Sequence, residues 1–216
     1  LTVDHDMYNP NTPTYPPDAS KARDLIESLG YRKGPDGFYQ KNGQPFVIEL
    51  LSSNLTVAGE KVMDRDGEVI KKQLEDVGIR VVLLNLEQAT TDSRVQNWDF
   101  DLAVTGHGGI AGDPRILNEM ISSRYGAGSV NSAKYDADPK LNQLLEAQMV
   151  EMNPVKRKEI VFKIQAVYAE ALPAISLYYP DSMAAYTPHK NVSWFYTTGG
   201  LSIGIPIAQN KMSLVR

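Results

Sequence analysis

Residues 46 to 105 alternate between short apolar runs and helical segments, and this alternation limits the fold more than any other feature of the chain. The pattern predicts strands at residues 46–52, 79–85 and 100–105, with helices at residues 60–77 and 87–97 between them. Strand, helix, strand, helix, strand is typical of a parallel sheet built from right-handed crossovers. The sequence therefore predicts an α/β fold with a parallel-sheet core and flanking helices.

Two helices have clear ends in the sequence. The first is expected over residues 18 to 29, because Asp18 is a favourable N-cap residue and Gly30 follows the last apolar position. The helix expected over residues 60 to 77 likewise ends at Gly78. The apolar stripes that these helices would bury consist of Ala22, Leu25, Ile26 and Leu29 in the first, and Val62, Val69, Ile70, Leu74 and Val77 in the second.

Downstream of the alternation, three helices are expected to start in the same way. Asp113-Pro114, Asp138-Pro139 and Asn153-Pro154 each place a capping side chain before a proline, which is favoured at the first helical position. The last of these helices is expected over residues 154–171, and short strands are expected at residues 172–180, 182–186 and 212–215. We therefore expect one α/β lobe followed by an extended C-terminal segment.

Composition excludes several classes of protein. The chain has 216 residues, no cysteine and a formal net charge of −4, so disulfides, thiolate metal sites and a cysteine nucleophile are excluded. A nucleic-acid-binding protein needs clustered basic residues to neutralise phosphates, and here the basic residues are dispersed. No apolar run approaches the roughly 20 residues of a membrane span. The start at Leu1 leads us to expect a piece of a longer protein.

Ligands of open parallel sheets bind outside the carboxyl ends of the strands. In this chain the loops at that edge are expected to start at Ser53-Asn54, at residues 85–87 and at residues 106–108. The third loop opens the stretch "GHGGIAGDP", residues 106–114, which is rich in glycine. Trp98 precedes its strand, so we expect it at the opposite edge, as a core or rim anchor.

The glycine-rich stretch formally satisfies a dinucleotide-binding pattern, with Gly106, Gly108 and Ala111 at the required spacing. That pattern should open a long helix whose bare N–H groups bind a pyrophosphate. Here the following helix is expected to start at Asp113-Pro114, so a carboxylate already occupies its positive end and the proline lacks a donor. A nucleotide site is therefore disfavoured.

A catalytic role would require partners for His107. The other histidines, His5 and His189, are isolated in the sequence, and no metalloprotease or serine-hydrolase motif occurs. We therefore expect no catalytic residue, no metal site and no cofactor. Arg115 is a candidate for holding a ligand anion, and its alternative is a surface pairing with Asp113, which we expect mainly to cap its helix.

Six segments carry a resemblance to a known family. In chain order they are "YPPDASKARDLIESLGY", "DGFYQKNGQPFVIELL", "IKKQLEDVGIRVVLLNLE", "NWDFDLAVTGHGGIAGDP", "AKYDADPKLNQLLEAQ" and "IVFKIQAVYAEALPAISLYYP". Together they resemble the C-terminal half of the family 5 extracellular solute-binding proteins, the oligopeptide-, dipeptide- and nickel-binding receptors of ABC importers. The resemblance implies a type II periplasmic-binding-protein fold, in which two lobes close on a solute. It implies a lead-in from a missing N-terminal lobe at residues 1–17, the second lobe at residues 18–180 and a returning C-terminal segment at residues 181–216.

The resemblance also implies a role for the glycine-rich stretch. Peptide-binding members carry a Trp-x-x-Asp clamp just before this Asp-Pro, and its acidic residue holds the α-amino group of the peptide. An ungapped alignment puts His107 and Ile110 at those two positions. An ammonium group desolvated in a closed cleft needs a carboxylate partner. Ordinary peptides bound in the usual way are thus disfavoured, while nickel chelates, sugars, opines and other small solutes remain open.

The resemblance implies a non-enzymatic receptor that hands its solute to ABC permease subunits and works outside the cytoplasm, in the periplasm or extracellularly. We expect a monomer, with any lipid anchor outside this chain. The residues expected to contact solute are Ser53, Asn54, Gly106, His107, Gly108, Gly109 and Arg115. The alternative is a stand-alone α/β sensor or interaction module derived from such a lobe, and an enzyme dependent on His107 is a third reading.

Overall fold

The computed structural model describes residues 1, 3, 5–53, 55–57, 60–62, 65–105, 113–115, 117–118, 122 and 139–178. The chain divides into two compact units. The sheet unit comprises Pro13–His107 and Glu119–Asn142, and the helical unit comprises Leu1–Thr12, Gly108–Asn118 and Gln143–Arg216. Along the chain, the described elements are α1 (Ala19–Ser28), β1 (Arg32–Lys33), β2 (Tyr39–Lys41), β3 (Gln44–Pro45), β4 (Val47–Ser53), β5 (Leu55–Val57), β6 (Glu60–Val62), α2 (Asp66–Val77), β7 (Arg80–Leu86), α3 (Gln88–Gln96), β8 (Leu102–Ala103), α4 (Pro139–Val150) and α5 (Pro154–Ala171).

Helix α1 begins where its capping residue predicts. The Asp18 side chain accepts a hydrogen bond from the backbone N–H of Lys21 at 2.9 Å, which satisfies one of the free donors of the first turn. Its buried face is narrower than expected, because Ile26 is buried whereas Leu25 and Leu29 are 58% and 63% exposed. The apolar stripe thus predicts the helix correctly and overstates how much of it is covered.

Tyr39 organises a small core between α1 and the first three strands. Strands β1, β2 and β3 form an antiparallel sheet. The turn between β2 and β3 uses Asn42 and Gly43, both with positive φ, at 54° and 76°, as tight hairpin turns require. Fully buried Tyr39 packs with Ile26 and Ile79. Its backbone N–H donates to Gly78 O at 2.8 Å, which ties this small sheet to the end of α2.

The main sheet has the strand order β7-β4-β8, and all its pairs are parallel, as predicted. The β4–β7 register runs from Val47↔Arg80 to Ser53↔Leu86. Successive side chains of a strand point to opposite faces. Ser52 lies against Gly67 of α2, whereas Glu49, three residues earlier, bonds to α3. Helices α2 and α3 therefore cover opposite faces of the sheet, and the unit has three layers.

The expected helix at residues 60–77 was wrong at its start. Helix α2 begins only at Asp66, and Glu60–Val62 instead forms strand β6, which pairs antiparallel with Leu55–Val57. Thr56, Val57 and Val62 are β-branched, a class enriched in strands. Val62 consequently belongs to a hairpin and not to the apolar stripe of α2. The end of the helix was predicted correctly, since Gly78 is left-handed with a φ of 102°.

The helical unit confirms the Asn-Pro start of its long helix. The Asn153 side chain accepts hydrogen bonds from the N–H groups of Val155 and Lys156, and Pro154 occupies the first turn of α5. Val161 and Ile164 are fully buried. Helix α4 likewise starts at its proline, Pro139. Within the described residues, no helix combines the length and the apolar character that a membrane span needs.

The strand expected at residues 172–180 is wrong over its described part, because residues 172–178 form no strand. Leu172 ends α5 in the left-handed conformation, with a φ of 48°. The next residue, Pro173, has no backbone N–H to donate to a strand partner. The strands expected at residues 182–186 and 212–215 lie outside the described residues.

Candidate functional site

The order of the strands in the main sheet reverses direction at its central strand, β4. From β4 the chain passes through α2 to β7 on one side, and then through α3 to β8 on the other side of β4. The connection from β4 therefore leads to one neighbouring strand, and the connection from β7 leads back across β4 to the other, so the direction of the chain reverses between β4 and β8. In open parallel sheets such a switch point, outside the carboxyl ends of the strands, is where ligands bind. The carboxyl ends of β4 and β8 thus define the candidate site.

Ser53 and the approach to the glycine-rich stretch lie at this edge. Ser53 is the last residue of β4. Leu51 pairs with Ala103, and the N–H of Val104 donates to Leu51 O at 2.9 Å. The chain therefore follows β4 beyond the end of β8. Residues 104–105 run beside the end of β4 and lead directly into Gly106.

The predicted ligand residues are described only in part. Ser53 is half-buried in the sheet unit, and Arg115 is exposed in the helical unit. Asn54, Gly106, His107, Gly108 and Gly109 lie outside the described residues. The ligand-contacting role of this set therefore stays a prediction, which rests on the sequence and on the placement of Ser53 at the switch point.

The first turn of α2 packs very closely beneath the end of β4. A Cβ atom added to Gly67 would lie 2.9 Å from Ser52 Cβ and 2.9 Å from Leu83 Cδ1. Ser52 is fully buried, and among the described side chains its Oγ has no hydrogen-bond partner. Asp66 and Glu68 stand in the same first turn. Their carboxylates complement the positive end of the helix and disfavour an additional anion there.

Asp113 closes the glycine-rich stretch and caps the turn that follows. Its Oδ1 accepts hydrogen bonds from the backbone N–H of Arg115 and from Nη2 of Arg157, both at 2.9 Å. The N–H of Arg115, and secondarily the Arg157 charge, hold the pKa of the Asp113 carboxyl below its usual value. A carboxylate in this position disfavours a phosphate cradle, as the sequence indicated.

A buried polar network supports this turn, and sequence reasoning missed it. Gln148 of α4 donates from Nε2 to Asn118 Oδ1, and Asn118 donates from Nδ2 to Leu145 O at 2.8 Å. Arg157 Nε donates to Gln148 O at 2.9 Å and to Gln148 Oε1 at 3.1 Å. Gln148 follows Leu141 and Leu145 at helical spacing, so a polar residue on that apolar face was the available signal.

The opposite edge of the sheet is held by charged groups. Arg94 of α3 donates from Nη2 to Glu49 Oε1 at 2.6 Å and from Nε to Asp99 Oδ2 at 2.8 Å. Asp101 Oδ2 accepts from the N–H of Glu49 at 2.8 Å. Trp98 lies in the connection between α3 and β8, half-buried. It therefore belongs to the amino-terminal end of β8, away from the candidate site, as predicted.

Among the described residues, no cluster of three or more His, Asp or Glu side chains has an arrangement that could hold a metal ion.

Two comparisons with known sequences identify relatives of the chain. The family model for bacterial extracellular solute-binding proteins, family 5 Middle, matches residues 2–129. Di/tripeptide-binding protein 4 of Pseudomonas aeruginosa is 24% identical over 174 residues, which cover 80% of this chain and 30% of the relative. The chain therefore spans less than a third of this curated relative's length.

Solved structures share the fold. NikZ from Campylobacter jejuni, in complex with Ni(L-His), has a TM-score of 0.66 and 20% identity over 78% of this chain and 33% of its own. The oligopeptide-binding protein AppA from Bacillus subtilis, in complex with a nonapeptide, has a TM-score of 0.65 and 21% identity, again over 78% and 33%. These likenesses confirm the α/β fold of type II periplasmic binding proteins. Since the family model covers more than half of the chain, the chain belongs to the bacterial extracellular solute-binding proteins of family 5, as the six segments predicted.

Proposed function

We propose that this chain is part of the receptor component of an ABC importer and that it binds a small solute without chemical conversion. The single observation that carries this proposal is the switch point between β4 and β8. At this switch point, Ser53 and residues 104–105, which lead into the glycine-rich stretch, lie at the same edge of the sheet. The chain belongs to a solute-binding family, so this edge is the expected place for a solute. Glycine lacks a side chain, so backbone groups in that stretch can approach a solute closely.

The chain supplies one side of the solute cleft in this proposal. Residues 18–180 form the second lobe, residues 1–17 lead in from another lobe, and residues 181–216 return toward it. The chain covers 30% of one curated relative, which supports a receptor that is longer than these residues. Closure of two lobes would bury the solute, which half a cleft cannot do. The receptor would act as a monomer outside the cytoplasm and deliver the solute to permease subunits.

The solute class follows from the chemistry that the glycine-rich stretch offers. Relatives and fold neighbours include, by name, a di/tripeptide-binding protein, a Ni(L-His) complex and a nonapeptide complex. This chain has Ile110 where a peptide-binding clamp would place its carboxylate, and His107 where the clamp would place its tryptophan. A buried ammonium group without a carboxylate partner is costly. We therefore propose a solute that needs no such partner, such as a chelate, a sugar or a peptide-like compound held by other groups.

The test is to purify the full-length protein, denature it and identify any released small molecule by mass spectrometry. Titration calorimetry with the released compound, and with Ni(II)–L-histidine, trialanine and a hexose oligosaccharide, then gives the dissociation constants. We expect one of these compounds to bind, and His107→Ala to weaken its binding. Lys156→Ala, on the exposed first turn of α5, is the matched control and should leave binding unchanged. If none of these compounds binds and none co-purifies, the receptor proposal is wrong.

A further inference from the structure

Arg157 connects the residue that ends the glycine-rich stretch to two helices. From α5 its Nη2 donates to Asp113 Oδ1 at 2.9 Å, while its Nε donates to the backbone and side-chain oxygens of Gln148 in α4. Its own side chain is only 22% exposed. One guanidinium group therefore bridges Asp113 of the glycine-rich stretch, the end of α4 and the start of α5.

The partners of Arg157 are fixed by further contacts. Gln148 and Asn118 are fully buried and bonded to each other, and Gln148 Nε2 also lies 3.5 Å from Pro114 O. Residues 108–118 belong to the same compact unit as Arg157. A buried and satisfied polar network favours one geometry, because each broken bond leaves an unpaired group. The position of Asp113 is thus coupled, through Arg157 of α5, to the buried Gln148 of α4.

We propose that Arg157 is a positioning residue for solute binding: through its bonds to Asp113 and Gln148 it fixes Asp113, the carboxylate near the end of the glycine-rich stretch. This inference rests on the proposed function, since it concerns the same glycine-rich stretch. The guanidinium suits the role because its planar fork offers donors in two directions. A lysine could keep the charge pairing with Asp113 and would lose the simultaneous bonds to Gln148.

The experiment uses four variants of the full-length protein and two measurements. The variants are Arg157→Gln, Arg157→Lys, Asp113→Asn and the double variant Arg157→Gln/Asp113→Asn. Asn153→Ala is the control, because it removes the cap of the same helix and touches neither Asp113 nor Gln148 in the described structure. Hydrogen–deuterium exchange of peptides covering residues 106–118 reports the segment directly. Calorimetry with Ni(II)–L-histidine, trialanine, a hexose oligosaccharide and any co-purified compound reports solute affinity.

We expect Arg157→Gln to accelerate exchange in residues 106–118 and to raise the dissociation constant, each by about 2- to 30-fold. Arg157→Lys should recover part of both losses. The double variant should resemble Arg157→Gln alone, because the two residues act through one contact. Asp113→Asn changes the exposed partner of the same contact. It therefore still tests the proposal if Arg157→Gln does not fold.

The two proposals can fail separately. If neither Arg157→Gln nor Asp113→Asn changes exchange in residues 106–118 more than Asn153→Ala does, the positioning role is overturned. An unchanged dissociation constant in the Arg157 variants of a protein that binds solute also overturns it. If exchange responds as expected and the wild type binds no compound, Arg157 still positions the segment and the receptor function is the proposal that fails.

Discussion

Gly67 of α2 lies against Ser52 of β4 so closely that a Cβ atom at position 67 would be 2.9 Å from Ser52 Cβ. The same atom would lie 2.9 Å from Leu83 Cδ1 on β7. The absence of a side chain at this one position lets α2 pack onto the strands beside the candidate site. The close contact between Gly67 and Ser52 therefore determines how near α2 lies to the carboxyl end of β4, where the candidate site begins.

Gly67→Ala should destabilise the protein. Alanine favours helix over glycine by up to about 1 kcal/mol, but forcing a methyl group into this contact costs about 1–3 kcal/mol. We expect a net loss in the free energy of unfolding, measured by urea denaturation. Gln73→Ala, at an exposed position of the same helix, should stay within about 0.5 kcal/mol of the wild type. A stabilised Gly67→Ala variant would show that α2 is not in this contact.

Tyr39→Phe tests the small core between α1 and the first strands. The buried Tyr39 hydroxyl donates to Glu27 Oε1 at 3.0 Å, and loss of a hydrogen bond to a carboxylate should lower the free energy of unfolding by about 1–2 kcal/mol. Tyr31→Phe, in the same cluster, is the control and should have a smaller effect. Equal losses in the two variants would contradict the assigned contact.

The Tyr39 hydroxyl should also give stability a dependence on alkaline pH. Burial, and then the hydrogen bond to Glu27, raise the pKa of Tyr39 in the folded protein. The unfolded chain therefore loses this proton first, at about pH 10, so the stabilising contribution is complete below that pH and declines above it. The stability difference between wild type and Tyr39→Phe should shrink as pH rises beyond about 10. A constant difference across that range would oppose the prediction.

Comparison of Asp113→Asn with the wild type should show a stabilising contribution of Asp113 that is lost at acid pH, whereas the contribution of Tyr39 is lost at alkaline pH. The N–H of Arg115 and the charge of Arg157 lower the pKa of Asp113. The carboxylate therefore stabilises the folded state above about pH 4, the value for an unfolded chain, and this contribution is lost as pH falls through the lower folded-state pKa. Because the Asp113 side chain is 61% exposed, we expect less than about 1 kcal/mol at neutral pH. Thermal melts of both proteins between pH 2 and 7 measure the difference, which should vanish at the acid end.

The sequence predicted the parallel sheet because β4, β7 and β8 are apolar runs separated by helices, and local capping predicted the starts at Asp18 and Asn153. It misplaced the start of α2, since Val62 continues the helical periodicity although it pairs with Leu55 in a hairpin. The location of the candidate site at the carboxyl edge of the sheet could be predicted from the direction of the parallel strands alone. The contact between Arg157 and Asp113 could not be predicted, because these residues are 44 positions apart and nothing local in the sequence pairs them.

The proposed solute site is tested by a crystal structure of the full-length protein with its co-purified solute. We predict solute atoms within about 4 Å, ordinary contact distance, of Ser53 or of residues 106–109, at the carboxyl edge of β4 and β8. A solute bound at the amino-terminal edge, near Arg94 and Trp98, or anywhere away from the switch point, would contradict it.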